Sequence, residues 1–164
     1  MFISFIDDCI GKIKQTAKEY DLQLNKGIEL FCGDGTLYTI RLAQQVSNLT
    51  GLDISEEKGY ALKKQYDGFN FICADSIQYV KETVNNSYDI ISIDNPLCIF
   101  GNGYCEHFEI IDNLPHFVKK NGYILIVYDY VTTPYDAEAL RNQEWLERRK
   151  KYYNCGSYNI DPQY

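Results

Sequence analysis

Several common features are missing from this sequence of 164 residues. No apolar run reaches the ~18 residues of a membrane span, and Asp7 and Asp8 interrupt the apolar start, so neither a membrane segment nor a secretory signal is expected. No cysteine pair has the C-x-x-C spacing of a zinc or redox site, which predicts no metal and indicates reduced thiols in a cytoplasmic protein. Repeats, low-complexity segments and linkers are also missing, which predicts one domain over 1–164.

The charge is acidic but uneven. The formal net charge is −7, and a uniformly acidic surface would repel a nucleic-acid backbone. Residues 141–151 differ, with five Lys or Arg against two Glu. Cations and aromatic rings on one helix suit single-stranded RNA. The alternative is that Trp145 packs on the sheet while the cations are solvated or pair with Glu144 and Glu147.

The hydrophobic pattern alternates between strand-like and helix-like segments. Short apolar runs predict strands at 28–32, 48–54, 69–74, 89–94 and 123–130. Helical spacing predicts helices over 1–22 and near 36–46, 56–66, 77–84, 106–120 and 136–153, with 96–103 irregular. Such alternation is typical of a doubly wound α/β fold, a mainly parallel sheet between two layers of helices.

The first predicted strand leads directly into a glycine turn. Residues 29–35 read Glu-Leu-Phe-Cys-Gly-Asp-Gly, and a helix is expected to follow. Since Gly33 and Gly35 lack a Cβ, the backbone can turn sharply and a ligand can lie against it. Open α/β sheets bind nucleotides at this place. A dinucleotide site is an alternative, but its pattern needs a third small residue where this chain has Tyr38.

Acidic residues stand at or near the ends of four successive predicted strands. They are Glu29, Asp53, Asp75 and Asp94. We expect them to converge, because the carboxyl ends of parallel strands meet at one edge. A carboxylate at position 53 can accept both hydroxyls of an adenosine ribose, and one at position 75 can reach an adenine amino group. Each could instead be a helix N-cap or a solvated strand end.

Taken in order, these segments resemble the class I methyltransferases that use S-adenosylmethionine. The family's first strand and turn read [D/E]-x-[G/F]-x-G-x-G, which residues 29–35 match. Its acid closing strand two corresponds to Asp53, its residue beside the adenine to Asp75, and its strand-four motif to residues 94–96. The likeness covers about residues 25–131.

The resemblance implies a strand order of 3-2-1-4-5 and S-adenosylmethionine as cofactor, leaving as S-adenosylhomocysteine. The family's strands six and seven are expected to be missing or incomplete, because residues 154–164 cannot form both. A homodimer contact or another partner would then cover the exposed edge. The implied cofactor-binding residues are Glu29, Phe31, Gly33, Gly35, Asp53, Ile54, Asp75, Ser76 and Asp94.

The segment after strand four is the predicted catalytic site. Asp94, Asn95 and Pro96 partly resemble the [D/N/S]-P-P-[Y/F/W] motif of enzymes that methylate amines of nucleic-acid bases, whereas Leu97 and Cys98 depart from it. In that motif a polar side chain and a carbonyl accept hydrogen bonds from the amine. The resemblance implies methyl transfer to an amine, with an RNA base as the first acceptor class and a small metabolite as the second. A non-catalytic cofactor-binding subunit is the third hypothesis.

Two further side chains are alternative participants in the chemistry. Cys98 could be a nucleophile, as in enzymes that methylate carbon 5 of pyrimidines, although Leu97 separates it from Pro96. The other interpretation is a buried or loop cysteine. His107 follows the same segment and could act as a base.

Overall fold

The computed structural model describes residues 2–35, 39–83, 87–93, 98–100, 103–105, 110–126 and 142–154. Their helices are α1 Phe2–Glu19, α2 Thr39–Ala43, α3 Glu56–Gln65, α4 Ser76–Glu82 and α5 Gln143–Tyr153, with a 3-10 helix at Ile111–His116. The strands are β1 Lys26–Leu30, β2 Asn48–Asp53, β3 Phe69–Cys73, β4 Tyr88–Ile93, β5 Cys98–Phe100, β6 Gly103–Cys105 and β7 Val118–Ile126. None of these helices combines the length and the apolar character that crossing a membrane requires.

Five of the strands form one parallel sheet in the order β3-β2-β1-β4-β7. Since β7 is the fifth strand of this sheet along the chain, the predicted order 3-2-1-4-5 and the doubly wound α/β class are confirmed. The central strand β1 pairs Gly27 with Leu49 on one side and with Ile90 on the other. All carboxyl ends therefore point to the same edge of the sheet.

The inner strands of the sheet are covered on both faces. All six residues of β4 are buried, as expected of a parallel strand covered on both faces. On one face, Leu49, Phe69 and Ile90 pack in a core cluster with side chains from α1, α2 and α3. Those helical side chains are Ile6, Ile10, Leu42 and Leu62.

The chain divides into two compact units. One contains residues 1–94 and 112–127, with the main sheet, and the other contains residues 95–111 and 128–164. In the second, β5 and β6 form an antiparallel hairpin that pairs Cys98 with Cys105 and Phe100 with Gly103. The expectation of an irregular segment over 96–103 is therefore wrong for the residues described. The single domain over 1–164 stays a prediction.

The entry into the fifth sheet strand also differs from expectation. The predicted helix over 106–120 is wrong at its C-terminal end. Of its described residues, 110–120, only Ile111–His116 is helical, as a 3-10 helix, and β7 already begins at Val118. The register of β7 against β4 shifts between Val118, opposite Tyr88, and Tyr123, opposite Ile90. Asn121 lies in this bulge with a φ of 68°.

Candidate cofactor site

A tight turn follows β1 at the carboxyl edge. The backbone takes left-handed values at Phe31, Gly33 and Gly35, with φ of 59°, 53° and 72°. The Cys32 N–H donates to the Leu52 carbonyl at 2.9 Å, and the Gly35 N–H donates to the Cys32 carbonyl at 3.0 Å. These bonds tie the turn to β2 and close it on itself. Because Phe31 already leaves the extended conformation, β1 ends at Leu30, two residues before the predicted end.

The two glycines of the turn have different surroundings. A Cβ built on Gly35 would clash with the Leu62 side chain and lie 3.0 Å from the Thr39 Cβ. A Cβ built on Gly33 meets no atom of the described residues within 4 Å. Packing therefore favours glycine at position 35, whereas the described residues leave open the space beside Gly33, where a ligand can approach the backbone.

Alanine substitutions at positions 33 and 35 are expected to destabilise the fold to different extents. Gly33→Ala should lower the free energy of unfolding by about 1 kcal/mol, the cost of a left-handed alanine. Gly35→Ala should lower the free energy of unfolding by about 2 kcal/mol in total, because the alanine is also overpacked against Leu62. Urea denaturation of both variants measures the difference, and equal losses would contradict the open space beside Gly33.

Asp53 links the turn to the helix that follows β2. Its side chain is buried, with 7% of the residue exposed. Oδ2 accepts the Gly33 N–H at 2.9 Å and Oδ1 accepts the Ser55 N–H at 2.8 Å. An ionised carboxylate has about four lone-pair sites, so both oxygens keep the capacity to accept a ribose hydroxyl. Ribose binding by Asp53 stays a prediction.

The neighbouring positions along the edge have distinct environments. Ile54 is 49% exposed although it is aliphatic, as expected of a side chain that a ligand would cover. Asp75 is the N-cap of α4, since its Oδ1 accepts the Gln78 N–H at 2.9 Å. Ser76 is buried, and its Oγ accepts the Phe31 N–H at 3.1 Å. The N-cap alternative thus holds for Asp75, and Ser76 fixes the turn from the side of α4. Their adenine contacts stay predictions.

Buried negative charge lies beneath the turn. Glu29 is 1% exposed. Burial raises the pKa of the Cys32 thiol far above its ordinary value, and the negative charges of Glu29 and Asp53 raise it further. Cys32 is therefore a protonated thiol in the core and no nucleophile. Cys9, Cys32 and Cys73 are free cysteines, and the described residues contain no cluster of three or more metal-ligating side chains.

Two buried hydroxyl groups lie near Glu29 and the turn, and neither was predicted from the sequence. Ser92 lies opposite Glu29 in the sheet register and is 1% exposed. Thr39 is fully buried beside Gly35. Neither hydroxyl has a hydrogen-bond partner among the described residues. The signal for Ser92 was present, since it is a polar residue inside the apolar run of β4.

The predicted catalytic segment is outside the described residues. Asp94, Asn95 and Pro96 all fall there, as do Leu97 and His107. Cys98 is described as the first residue of β5. The predicted roles of these residues stay predictions.

The cations of α5 take part in local contacts. Arg148 Nη1 lies 3.1 Å from Glu144 Oε1, and Lys150 Nζ lies 3.4 Å from Glu147 Oε1. Arg149 is buried, with its Cζ 5.7 Å from the centre of the Trp145 ring. The two ion pairs favour the alternative in which cations of this helix pair with Glu144 and Glu147. Trp145 is buried, and its packing on the sheet stays a prediction.

Comparison with known protein families shows to which family the chain belongs. Residues 23–161 match the family described as methyltransferase domain. The chain belongs to this family. The predicted S-adenosylmethionine residues that the structure describes lie at or near the carboxyl edge of the sheet of this methyltransferase domain. No curated protein matches the sequence.

Solved structures share the fold of the domain. The plantazolicin methyltransferase BpumL, solved with a desmethyl-plantazolicin analogue and S-adenosylhomocysteine, is 23% identical with a TM-score of 0.55, over 77% of this chain and 47% of that one. Phosphoethanolamine N-methyltransferase 1 of Haemonchus contortus is 16% identical with a TM-score of 0.53, over 74% of this chain and 26% of that one. The YcgJ protein of Bacillus subtilis is 18% identical with a TM-score of 0.52, over 90% and 61%. The chain thus spans about half the length of the first of these proteins and less than two thirds of the others.

Proposed function

We propose that this chain transfers a methyl group from S-adenosylmethionine to the amine of a small molecule. The observation that carries the proposal is the space that the described residues leave open beside Gly33, directly next to the buried Asp53 carboxylate. A ligand in this space would contact the backbone of the turn, the carboxylate and the exposed Ile54 side chain. An adenosyl group offers matching chemistry, with ribose hydroxyls for the carboxylate and an apolar base for the aliphatic side chain.

The residues present fit the cofactor by charge as well as by shape. The cofactor supplies a methyl group activated on a cationic sulfonium. Glu29 and Asp53 place negative charge in a buried region around the turn, which favours a positively charged ligand over an anionic one. Methyl transfer needs the acceptor to be held in line with the methyl group and water to be kept away, and the hydrogen bonds that fix the turn serve that positioning.

A small acceptor is favoured over RNA by charge. The chain carries a net charge of −7, which opposes the approach of a phosphate backbone. The basic helix α5, the best RNA-binding candidate in the sequence, has two of its cations in ion pairs with glutamates. Structures that share the fold include methyltransferases for plantazolicin and phosphoethanolamine. We infer an amine nitrogen as the acceptor atom because residues 94–96 partly resemble the motif with which other enzymes hold the amines of nucleic-acid bases, and hydrogen-bond acceptors of this kind hold the amine of a small molecule equally well.

The test uses cofactor labelled in its methyl group, incubated with the protein and either a deproteinised metabolite extract or total RNA. We expect a labelled small molecule other than the cofactor with wild-type protein and with Asp67→Ala, an exposed acid before β3. Asp53→Ala should give far less of this product when the cofactor concentration is near the wild-type dissociation constant. Label in RNA would contradict the acceptor class. Cofactor binding without transfer to either pool would instead support the non-catalytic subunit.

A further inference from the structure

A second concave site lies between α1 and the region of α2. Its volume is about 250 Å³, and none of its lining residues belongs to the predicted cofactor site. A site of this size suits a molecule smaller than a drug-sized ligand, whose pockets start near ~300 Å³. The lining residues are Asp7, Ile10, Gly11, Lys14, Arg41, Gln44 and Gln45.

Gly11 keeps one wall of this pocket open. It lies inside the 18-residue helix α1, where glycine lowers helix stability relative to alanine. Packing against the described residues does not require it, because a Cβ built there meets none of their atoms within 4 Å. Without a side chain at this position, the space between the two helical segments stays accessible.

The charged groups around the pocket make it locally positive in an acidic chain. Among the described lining residues, Lys14 and Arg41 contribute two cations against one carboxylate, that of Asp7. Arg41 Nε donates to Asp7 Oδ1 at 3.0 Å, which holds the guanidinium in place, and its side chain is only 19% exposed. The Asp7 side chain is 58% exposed, so water screens its charge more than that of Arg41.

Polar and apolar groups complete the wall. The side-chain amides of Gln44 and Gln45 offer hydrogen-bond donors and acceptors. Ile10, which is 7% exposed, provides an apolar surface. A few directed polar groups on a partly apolar wall are typical of small-molecule sites.

We propose that this pocket binds a small organic anion, whose carboxylate or phosphate group is held by Lys14 and Arg41. Guanidinium and ammonium groups recognise both kinds of oxyanion through charge-assisted hydrogen bonds. The glutamine amides bind polar groups on the rest of the ligand, and Ile10 contacts its carbon skeleton.

Calorimetry with succinate and with inorganic phosphate, each at low ionic strength, tests the proposal. We expect saturable binding of at least one probe with a dissociation constant near or below ~1 mM. Lys14→Ala should weaken it at least about tenfold, whereas Lys12→Ala, an exposed lysine of the same helix that does not line the pocket, should leave it unchanged. Gly11→Leu should abolish binding by filling the space, and it should fold because leucine favours helix more than glycine does.

The probes also distinguish the kind of anion. Binding of succinate alone assigns a carboxylate ligand, and binding of phosphate alone assigns a phosphate ligand. Saturation by neither probe would overturn the proposal. Equal losses in Lys12→Ala and Lys14→Ala, or wild-type affinity in a folded Gly11→Leu, would overturn it too, since the binding would then not occur in this pocket.

Discussion

Asp53→Ala is expected to weaken the binding of S-adenosylmethionine at least about 30-fold. The carboxylate accepts hydrogen bonds from the Gly33 and Ser55 backbone amides. Alanine therefore removes both the hydrogen bonds that fix the turn and the predicted acceptor for the ribose hydroxyls. A hydrogen bond to a charged group is worth about 1.5–3 kcal/mol, and about 2 kcal/mol corresponds to roughly 30-fold in affinity. Calorimetric titration with S-adenosylmethionine and S-adenosylhomocysteine measures the loss.

Two further variants make this result specific. Asp67→Ala is the same change at an exposed acid, and it should bind the cofactor as the wild type does. Asp53→Asn keeps the size of the side chain but presents an amide to one of the two backbone donors, so it should also bind weakly. Circular dichroism shows whether each variant is folded. Wild-type affinity in a folded Asp53→Ala would place the cofactor elsewhere and remove the basis of the proposed function.

The parallel α/β architecture was predictable because short apolar runs alternate with helical patterns, whereas the strand order 3-2-1-4-5 was implied by the resemblance to the class I methyltransferases. β4 is buried at every position, as is typical of a central strand of a parallel sheet. The convergence of the acidic residues at the strand ends was predictable too, because the carboxyl ends of parallel strands lie at one edge of the sheet. For this reason the position of Asp53 could be inferred from the sequence before its contacts were known.

The conformation of the turn and the partners of its side chains could not be predicted. Phe31 has a positive φ, at 59°, which sequence patterns do not indicate for a bulky residue. The bond between the Phe31 N–H and the Ser76 Oγ joins residues 45 positions apart, so no local pattern reveals it. The hairpin β5–β6 was different, because Gly-Asn at 101–102 is a two-residue signal typical of a hairpin turn that was overlooked.

Asp89→Ala is expected to lower the free energy of unfolding by about 3 kcal/mol. Asp89 is 5% exposed in β4. Its Oδ2 accepts the N–H groups of Asn25 and Lys26 at 2.9 and 2.8 Å, and Oδ1 accepts from Lys119 Nζ at 2.7 Å. Alanine leaves two partly buried amides without this acceptor, and each lost partner costs about 1–3 kcal/mol. Urea denaturation measures the change.

Lys119→Ala is the matched control for this cluster. The lysine side chain is 47% exposed, so its removal should cost about 1 kcal/mol or less. The two backbone amides still bind the carboxylate in this variant. A loss as large as that of Asp89→Ala would instead show that the ion pair, rather than the amides, stabilises the start of β1.

The pH dependence of stability distinguishes the contribution of the Asp89 charge from that of the geometry of its hydrogen bonds. Burial alone would raise the pKa of Asp89, but the hydrogen bond from Lys119 and those from the Lys26 and Asn25 amides hold it below the ordinary value of 3.8. A carboxyl group with a lowered pKa stabilises the fold fully above its unfolded-state pKa and loses that contribution as the pH falls through the folded-state pKa. The stability difference between wild type and Asp89→Asn should therefore be constant near neutral pH and shrink below about pH 4. A difference that does not change with pH would mean that the charge of Asp89 contributes nothing and that only the geometry of its hydrogen bonds matters.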